Sequence, residues 1–241
     1  MPSRIHVPPP LAAGAELALP ASAARHVQVL RMQPGDALTL FDGAGGEWSA
    51  SITHMGRAQV RVRLGAHATI EREAARTAHL AAGLMAAERM DWLVEKAAEL
   101  GAASLTPLLT ERASLRLSGE RTLKKRAHWQ AVAVAASEQC GRNRLMEVRE
   151  QLSFQEHLRH LPPGQARWLL SPHAGAQPLG AALAALAPAQ PVQLLSGPEG
   201  GFSVAEQTAA IAAGWRPVHL GPRVLRAETA PVAALAALML S

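Results

Sequence analysis

Hydrophobic and polar positions change rhythm partway along the chain. In "AQVRVRLG", Val60, Val62 and Leu64 alternate with Arg61 and Arg63, the period-two pattern of a strand with one wet face. "ALTLF" (Ala37 to Phe41) and "EWSASIT" are further strand-like runs, separated by the turn "DGAGG", and "PGD" at Pro34 to Asp36 marks another turn. A short helix is predicted over Ala21 to Arg31. Residues 1–72 therefore read as a small, mostly antiparallel β-barrel, ending near the charged, helix-prone "EREAART".

Over residues 73–241 the pattern is strand, helix, strand. "HLAAGLM" is a strand, and "ERMDWLVEKAAELG" is an amphipathic helix. Met90, Leu93, Val94, Ala97 and Ala98 share one face of that helix, and Gly101 supplies a C-terminal stop. "SLTPLL" is the next strand, followed by the long helix "ERTLKKRAHWQAVAVAASEQCG". "RWLLS", "PVQLLS" and "RPVHLG" are three more strands, each leading into a loop and a helical pattern. Such alternation predicts a parallel α/β sheet with helices on both faces.

Composition narrows the class. A chain of 241 residues, 49% of them apolar, can bury a core and is not disordered, although much of the apolar fraction is alanine. The net charge of 24 − 19 = +5 suits a polyanionic partner without requiring one. The single Cys140 excludes an internal disulfide and fits a reducing compartment. The N-terminal "MPSRIHVPPP" has no apolar signal-peptide core, and no apolar run reaches membrane-spanning length. The expectation is a soluble cytoplasmic protein with no membrane partner.

Candidate chemistry lies in the loops. In "LLSGPEGGFSVAEQ", Gly197, Gly200 and Gly201 permit close backbone approach to a ligand, and Ser203 with Glu206 forms a capping box. Backbone N–H groups near a helix N-terminus can hold an anion or an adenine edge. The spelling is neither a Walker A loop nor a dinucleotide fingerprint, and a tight, well-capped strand-to-helix turn explains it as well. "LGPRVLRAETAPVAAL" follows the next strand and offers Arg223, Arg226, Glu228 and Thr229; "LLSPHAGAQPLG" follows the strand before. Three such loops beyond strand carboxyl ends can converge on one pocket. Arg112, Arg116, Arg121, Lys124, Lys125, Arg126, Arg142 and Arg144 are either solvated faces or anion contacts. The cationic start of the long helix opposes its dipole, which favours an external anion. His157 and His160 lack the further ligands a zinc ion needs, so no metal is expected. No nucleophile elbow occurs, and Cys140 reads as a packing residue.

"EKAAELG", "SEQCGRN", "GPEGGFS" and "LGPRVLRAET", in this order, resemble the bacterial 16S ribosomal RNA uridine-N3 methyltransferase family, of the SPOUT class. "HVQVLRMQPGDALTLFDG" is similar to that family's N-terminal PUA-like barrel. The resemblance implies an α/β SPOUT domain with a C-terminal trefoil knot over residues 73–241, and a PUA-like, RNA-binding β-barrel over 1–72. It implies S-adenosyl-L-methionine as cofactor, 16S rRNA in the small ribosomal subunit as substrate, and a homodimer. The cofactor loops carry over to Leu170, Ser171 and Pro172; to Ser196, Gly197, Glu199, Gly200 and Gly201; and to Leu220, Gly221, Leu225, Arg226 and Thr229. Phosphate contacts fall to Arg116, Lys124, Lys125 and Arg144, with Arg25 and Arg31 on the barrel. For the reaction, Arg112, Arg142 or Arg226 would stabilise a uracil anion, and Glu228 or Glu199 would accept its proton. Each has a plainer role: Glu199 facing a helix N-terminus, Glu228 pairing with Arg226. The chain departs from many relatives at Ala86, where they carry a basic residue. Two alternatives stand beside this reading: an RNA-binding assembly module with a vestigial pocket, and a tRNA methyltransferase of the same fold.

Overall fold

The computed structural model describes residues 2–173 and 175–240. These form two compact units, residues 1–73 with 137–145, and residues 74–136 with 146–241.

The first unit holds β1 (Ser3–His6), β2 (Glu16–Ala18), α1 (Ala21–Val29), β3 (Ala37–Phe41), β4 (Glu47–Met55) and β5 (Val60–Ala68). They make a five-stranded sheet in the order β1-β3-β4-β5-β2. All pairings are antiparallel except β1 with β3, which run parallel. Alternation in β5 works as the pattern requires: Val60, Val62 and Leu64 are buried while Arg61 and Arg63 face outward. Ala23, Ala24 and Val27 of α1 join them in one core with Ile5, Leu38 and Ile52.

Residues 137–145 are held in this unit by a polar network. Glu47 accepts hydrogen bonds from Arg4 at 2.6 Å, Arg72 at 3.0 Å and Asn143 at 3.1 Å. Burial raises the Glu47 carboxyl, but the bonds from Arg72, Arg4 and Asn143 outweigh it and hold the pKa at about 2. The Arg142 guanidinium donates to both oxygens of Glu73, at 2.9 and 2.7 Å, and is only 4% exposed. Arg144 pairs with Glu71 at 3.2 Å.

In chain order the remaining elements are β6 (Ala78–Gly83), α2 (Ala87–Glu99), β7 (Ser104–Leu109), α3 (Glu120–Cys140), β8 (Glu147–Val148), β9 (Leu152–Ser153), α4 (Phe154–Arg159), β10 (Ala166–Leu170), β11 (Gln177–Pro178), α5 (Leu179–Ala184), β12 (Val192–Ser196), α6 (Val204–Ala212), β13 (Arg216–His219) and α7 (Thr229–Met239). Among the described residues the second unit's sheet runs β11-β13-β10-β12-β6-β7-β8, with β9 also on β7. Every pairing in it is parallel. Its central strands are buried on both faces, as continuous apolar runs demand. Leu80 and Leu194, opposite each other in register, pack towards α2, α3, α5 and α7. Their neighbours Ala81 and Leu195 pack towards α4 and α6. Because β13, β10 and β12 are adjacent and parallel, their carboxyl ends open on one edge, which brings their loops together.

Candidate functional site

The loops after β10, β12 and β13 enclose a cavity of about 400 Å³. Leu170, Ser171 and Pro172 form one wall, Ser196 to Phe202 a second, and Val224, Leu225 and Ala227 a third. Leu220 and Gly221 line a smaller hollow that shares Leu170 to Pro172 and Leu225 with it. The walls are mostly apolar, with Leu169, Phe202 and Val224 facing in, and the volume lies in the range of small-molecule sites. Gly197 lets the turn close tightly: a Cβ on it would lie 3.1 Å from the Gly201 backbone, which would have to give by a few tenths of an ångström. Gly201, at φ +66°, takes a left-handed conformation that glycine adopts without a Cβ penalty.

A fourth segment, residues 110–117 after β7, is laced to this loop. Glu206, buried at the start of α6, accepts the Ser203 N–H at 2.9 Å and the Glu111 N–H at 2.8 Å. Ser203 returns the capping bond by accepting from the Glu206 N–H. Ser114 Oγ donates to Glu199 at 2.6 Å, and Arg112 donates to the Gly200 carbonyl at 3.1 Å. Arg112 thereby faces the cavity as a cation.

Glu199 also accepts the Ala86 N–H at 2.9 Å, at the start of α2, and pairs with Arg89 at 3.4 Å. Burial pushes its carboxyl up, but the bonds from Ser114 and the Ala86 backbone, with the Arg89 charge, outweigh this and hold it below the usual carboxylate range. Glu199 is a fixed anion in the cavity wall, with its oxygens occupied, and therefore poorly placed to take a proton.

Residues 224–230 separate two spaces. Val224, Leu225, Ala227 and Ala230 face the cavity, whereas Arg226, Glu228 and Thr229 face an open cleft with Glu88, Arg89 and Trp92. Of the residues assigned to the cofactor by resemblance, the structure thus gathers all but Arg226 and Thr229 around the cavity and its side hollow. Glu228 does not pair with Arg226; its ionic neighbour is Arg89, at 3.9 Å. Arg142 lines neither space. It lies in the first unit, where its guanidinium pairs with Glu73.

The basic candidates for phosphate belong to both units. Arg25, Arg31, Arg116 and Lys124 are exposed. Arg116 donates to the Glu111 carbonyl, Lys124 pairs with Glu120 at 3.0 Å, and Lys125 lies 5.9 Å from the centre of the Trp129 ring. Arg89 and Trp92 border the cleft and Ser114 bonds to Glu199, although the sequence pattern singled out none of them. Each sits in an ordinary helix or loop pattern, and only the fold brings it there. Among the described residues no cluster of potential metal ligands occurs, and no helix is long and apolar enough to cross a membrane.

Residues 72–239 match the family described as the RNA methyltransferase domain, and residues 19–65 match the RNA methyltransferase PUA domain. The chain is 36% identical over 217 residues to the Synechocystis protein named ribosomal RNA small subunit methyltransferase E, covering 87% of this chain and 67% of that one. The Bacillus subtilis protein of the same name is 29% identical, with 88% and 84% covered. Among solved structures, a ribosomal RNA small subunit methyltransferase E from Neisseria gonorrhoeae bound to S-adenosyl methionine superposes with a TM-score of 0.93 at 34% identity, over 99% of this chain and 97% of that one. A Legionella pneumophila methyltransferase in complex with the same cofactor gives 0.93 at 37% identity, over 100% and 98%.

Proposed function

Since the chain belongs to the ribosomal RNA small subunit methyltransferase E family, we propose that it methylates 16S rRNA from S-adenosyl-L-methionine, at N3 of one uridine. The observation that carries this reading is the convergence of three strand-end loops on one cavity that also holds a donor-saturated carboxylate, Glu199. When bound, the cofactor supplies a methyl group already activated by its sulfonium charge. The apolar walls suit an adenine ring, the backbone edge of Ser196 to Gly201 suits its polar rim, and Glu199 complements positive charge at that wall.

The chain's remaining task is to hold the acceptor and manage its N3 proton. Positioning of this kind can contribute on the order of 7–11 kcal/mol. Paired uracil hides N3, so the target must be single-stranded or turned out of its stack. Glu228 is the carboxylate with capacity to accept the proton, because Glu199 is fully engaged. Arg112 lies in the cofactor cavity rather than in the cleft that holds Glu228, and adds positive charge to the cavity wall.

The same reading has the protein act as a cytoplasmic homodimer. Helix α7, "TAPVAALAALM", supports this: it is apolar on all sides, yet Val232, Ala233, Ala236 and Ala237 are only partly covered. The trefoil knot belongs to the reading too. After β13 the chain passes beyond β10 to place α7 against β12 and β6, the kind of crossing a knot requires.

The test offers purified small subunits and tRNA side by side with methyl-labelled cofactor, then maps the methylated atom. Label on 16S rRNA at uridine N3 is expected. Label confined to tRNA would replace the substrate, and no label with no calorimetric binding of the cofactor would leave an RNA-binding module instead.

A further inference from the structure

The open cleft beside the cavity has a composition that the cofactor does not explain. It measures about 460 Å³ and is bounded by Glu88, Arg89, Trp92, Arg226, Glu228 and Thr229. Glu228 is 8% exposed and short of donors. One oxygen lies 3.9 Å from Arg89 Nε, beyond hydrogen-bond reach, and the other is buried with no hydrogen-bond partner among the described residues. A buried carboxylate oxygen without a donor is costly to maintain unless something supplies one. Arg89 is already shared with Glu199. Arg226 is exposed and makes no ion pair among the described residues. Trp92 stands on α2 with 40% of its surface exposed, whereas Trp129, Trp168 and Trp215 are buried.

A carboxylate that needs one N–H, flanked by guanidinium donors and an exposed aromatic face, matches one nucleobase pattern well. Uracil presents a single ring N–H between two carbonyl acceptors and a flat ring for stacking. Cytosine presents an unprotonated N3 at the same point and would set a lone pair against the carboxylate. 3-Methyluracil lacks the donor altogether.

We propose that this cleft is the uracil-recognition subsite of the enzyme: the base stacks on Trp92, its N3–H faces Glu228, and its carbonyl oxygens accept from Arg226 and Arg89. This rests on the methyltransferase reading above and deepens it. The subsite selects the base by the same N–H that the reaction removes, so the product loses its main polar contact and is released.

The test uses the full-length protein and short single-stranded oligouridylate, oligocytidylate, oligoguanylate and 3-methyluridine oligomers of equal length, with tryptophan fluorescence and calorimetry as readouts. Oligouridylate should quench fluorescence, and Trp92→Phe should abolish most of that quench. Oligouridylate should bind at least tenfold more tightly than the cytidine and 3-methyluridine oligomers. Glu228→Gln and Arg226→Ala should each shrink that preference several-fold, with unchanged thermal unfolding confirming the fold. Equal affinity for uridine and 3-methyluridine, a stronger preference for guanine, or a preference that survives Trp92→Ala together with Arg226→Ala would overturn the proposal. Wild-type methylation of small subunits, run in parallel, separates the two failures. Methylation without the binding preference sinks only the subsite, and a uridine preference without methylation sinks the enzymatic reading.

Discussion

At the scale of single residues, the close contacts of glycines are the sharpest features. A Cβ on Gly83, at the end of β6, would lie 2.5 Å from Pro198 Cδ and 2.7 Å from Pro198 N. Gly83→Ala must push the loop at Pro198, which we propose holds the cofactor, aside. It should weaken cofactor binding by calorimetry about tenfold or more, roughly 1.4 kcal/mol, with a further loss of fold stability. His157 makes a pH prediction. His157 is 8% exposed, its ring packs 5.8 Å from that of Trp215, and its Nε2 has no hydrogen-bond partner among the described residues. Burial, with a smaller contribution from the Arg149 charge, lowers its pKa from 6.5 to about 4. A histidine depressed in this way contributes stability that is present above the unfolded value of 6.5 and lost as pH falls towards 4. Unfolding free energy should therefore fall by about 2 kcal/mol between neutral pH and pH 5 through this residue. Urea titrations of His157→Phe should lack that component. Sequence could not find this site, because "FQEHLRH" shows two histidines on a short helix and nothing of Trp215, which lies far along the chain.

Elements were more legible than their partners. The buried face of α2 is the set Met90, Leu93, Val94, Ala97 and Ala98 that 3.6-residue periodicity selects, and β7 spans the run "SLTPLL". Local pattern suffices there, because a helix face or a fully buried strand is written in neighbouring residues. The parallel pairing of β1 with β3 was not legible, because it joins Ser3–His6 to a strand more than thirty residues on. Nor was the placement of Arg142: the text "CGRNR" shows a cation, while Glu73, which occupies it, is far along the chain. The capping box of α6 was readable from Ser203 and Glu206, but its second duty was not. Glu206 also fixes the Glu111 N–H, and so the segment that carries Arg112 and Ser114. Ser203→Ala should therefore cost about 1 kcal/mol in thermal unfolding, the usual worth of an N-cap. Glu206→Ala should cost more, since it leaves the buried Ser203 N–H and the part-buried Glu111 N–H unpaired, and should also weaken cofactor binding.

At the scale of the whole molecule, the net charge is +5 and the proposed phosphate contacts come from both units. Arg25, Arg31, Arg116 and Lys124 are exposed cations, and we propose that they meet phosphates. Each contact that is made should contribute roughly 0.7–0.9 to the slope of log affinity against log salt. Replacing Arg116 and Lys124 by alanine should flatten that slope by between one and two, read by filter binding of RNA across a salt series. An unchanged slope would remove both from the contact surface. The fold also limits how such a chain can be recombined. Ser137–Leu145, the last turn of α3 and the short stretch beyond it, belongs to the first unit and is satisfied by Arg4, Glu47, Arg72 and Glu73. A gene fragment begun at Ala74 would carry that stretch with its charges bereft of counterparts. Shuffling the amino-terminal unit onto another catalytic body, or deleting it, therefore means rewriting a hairpin's worth of sequence deep inside the downstream half.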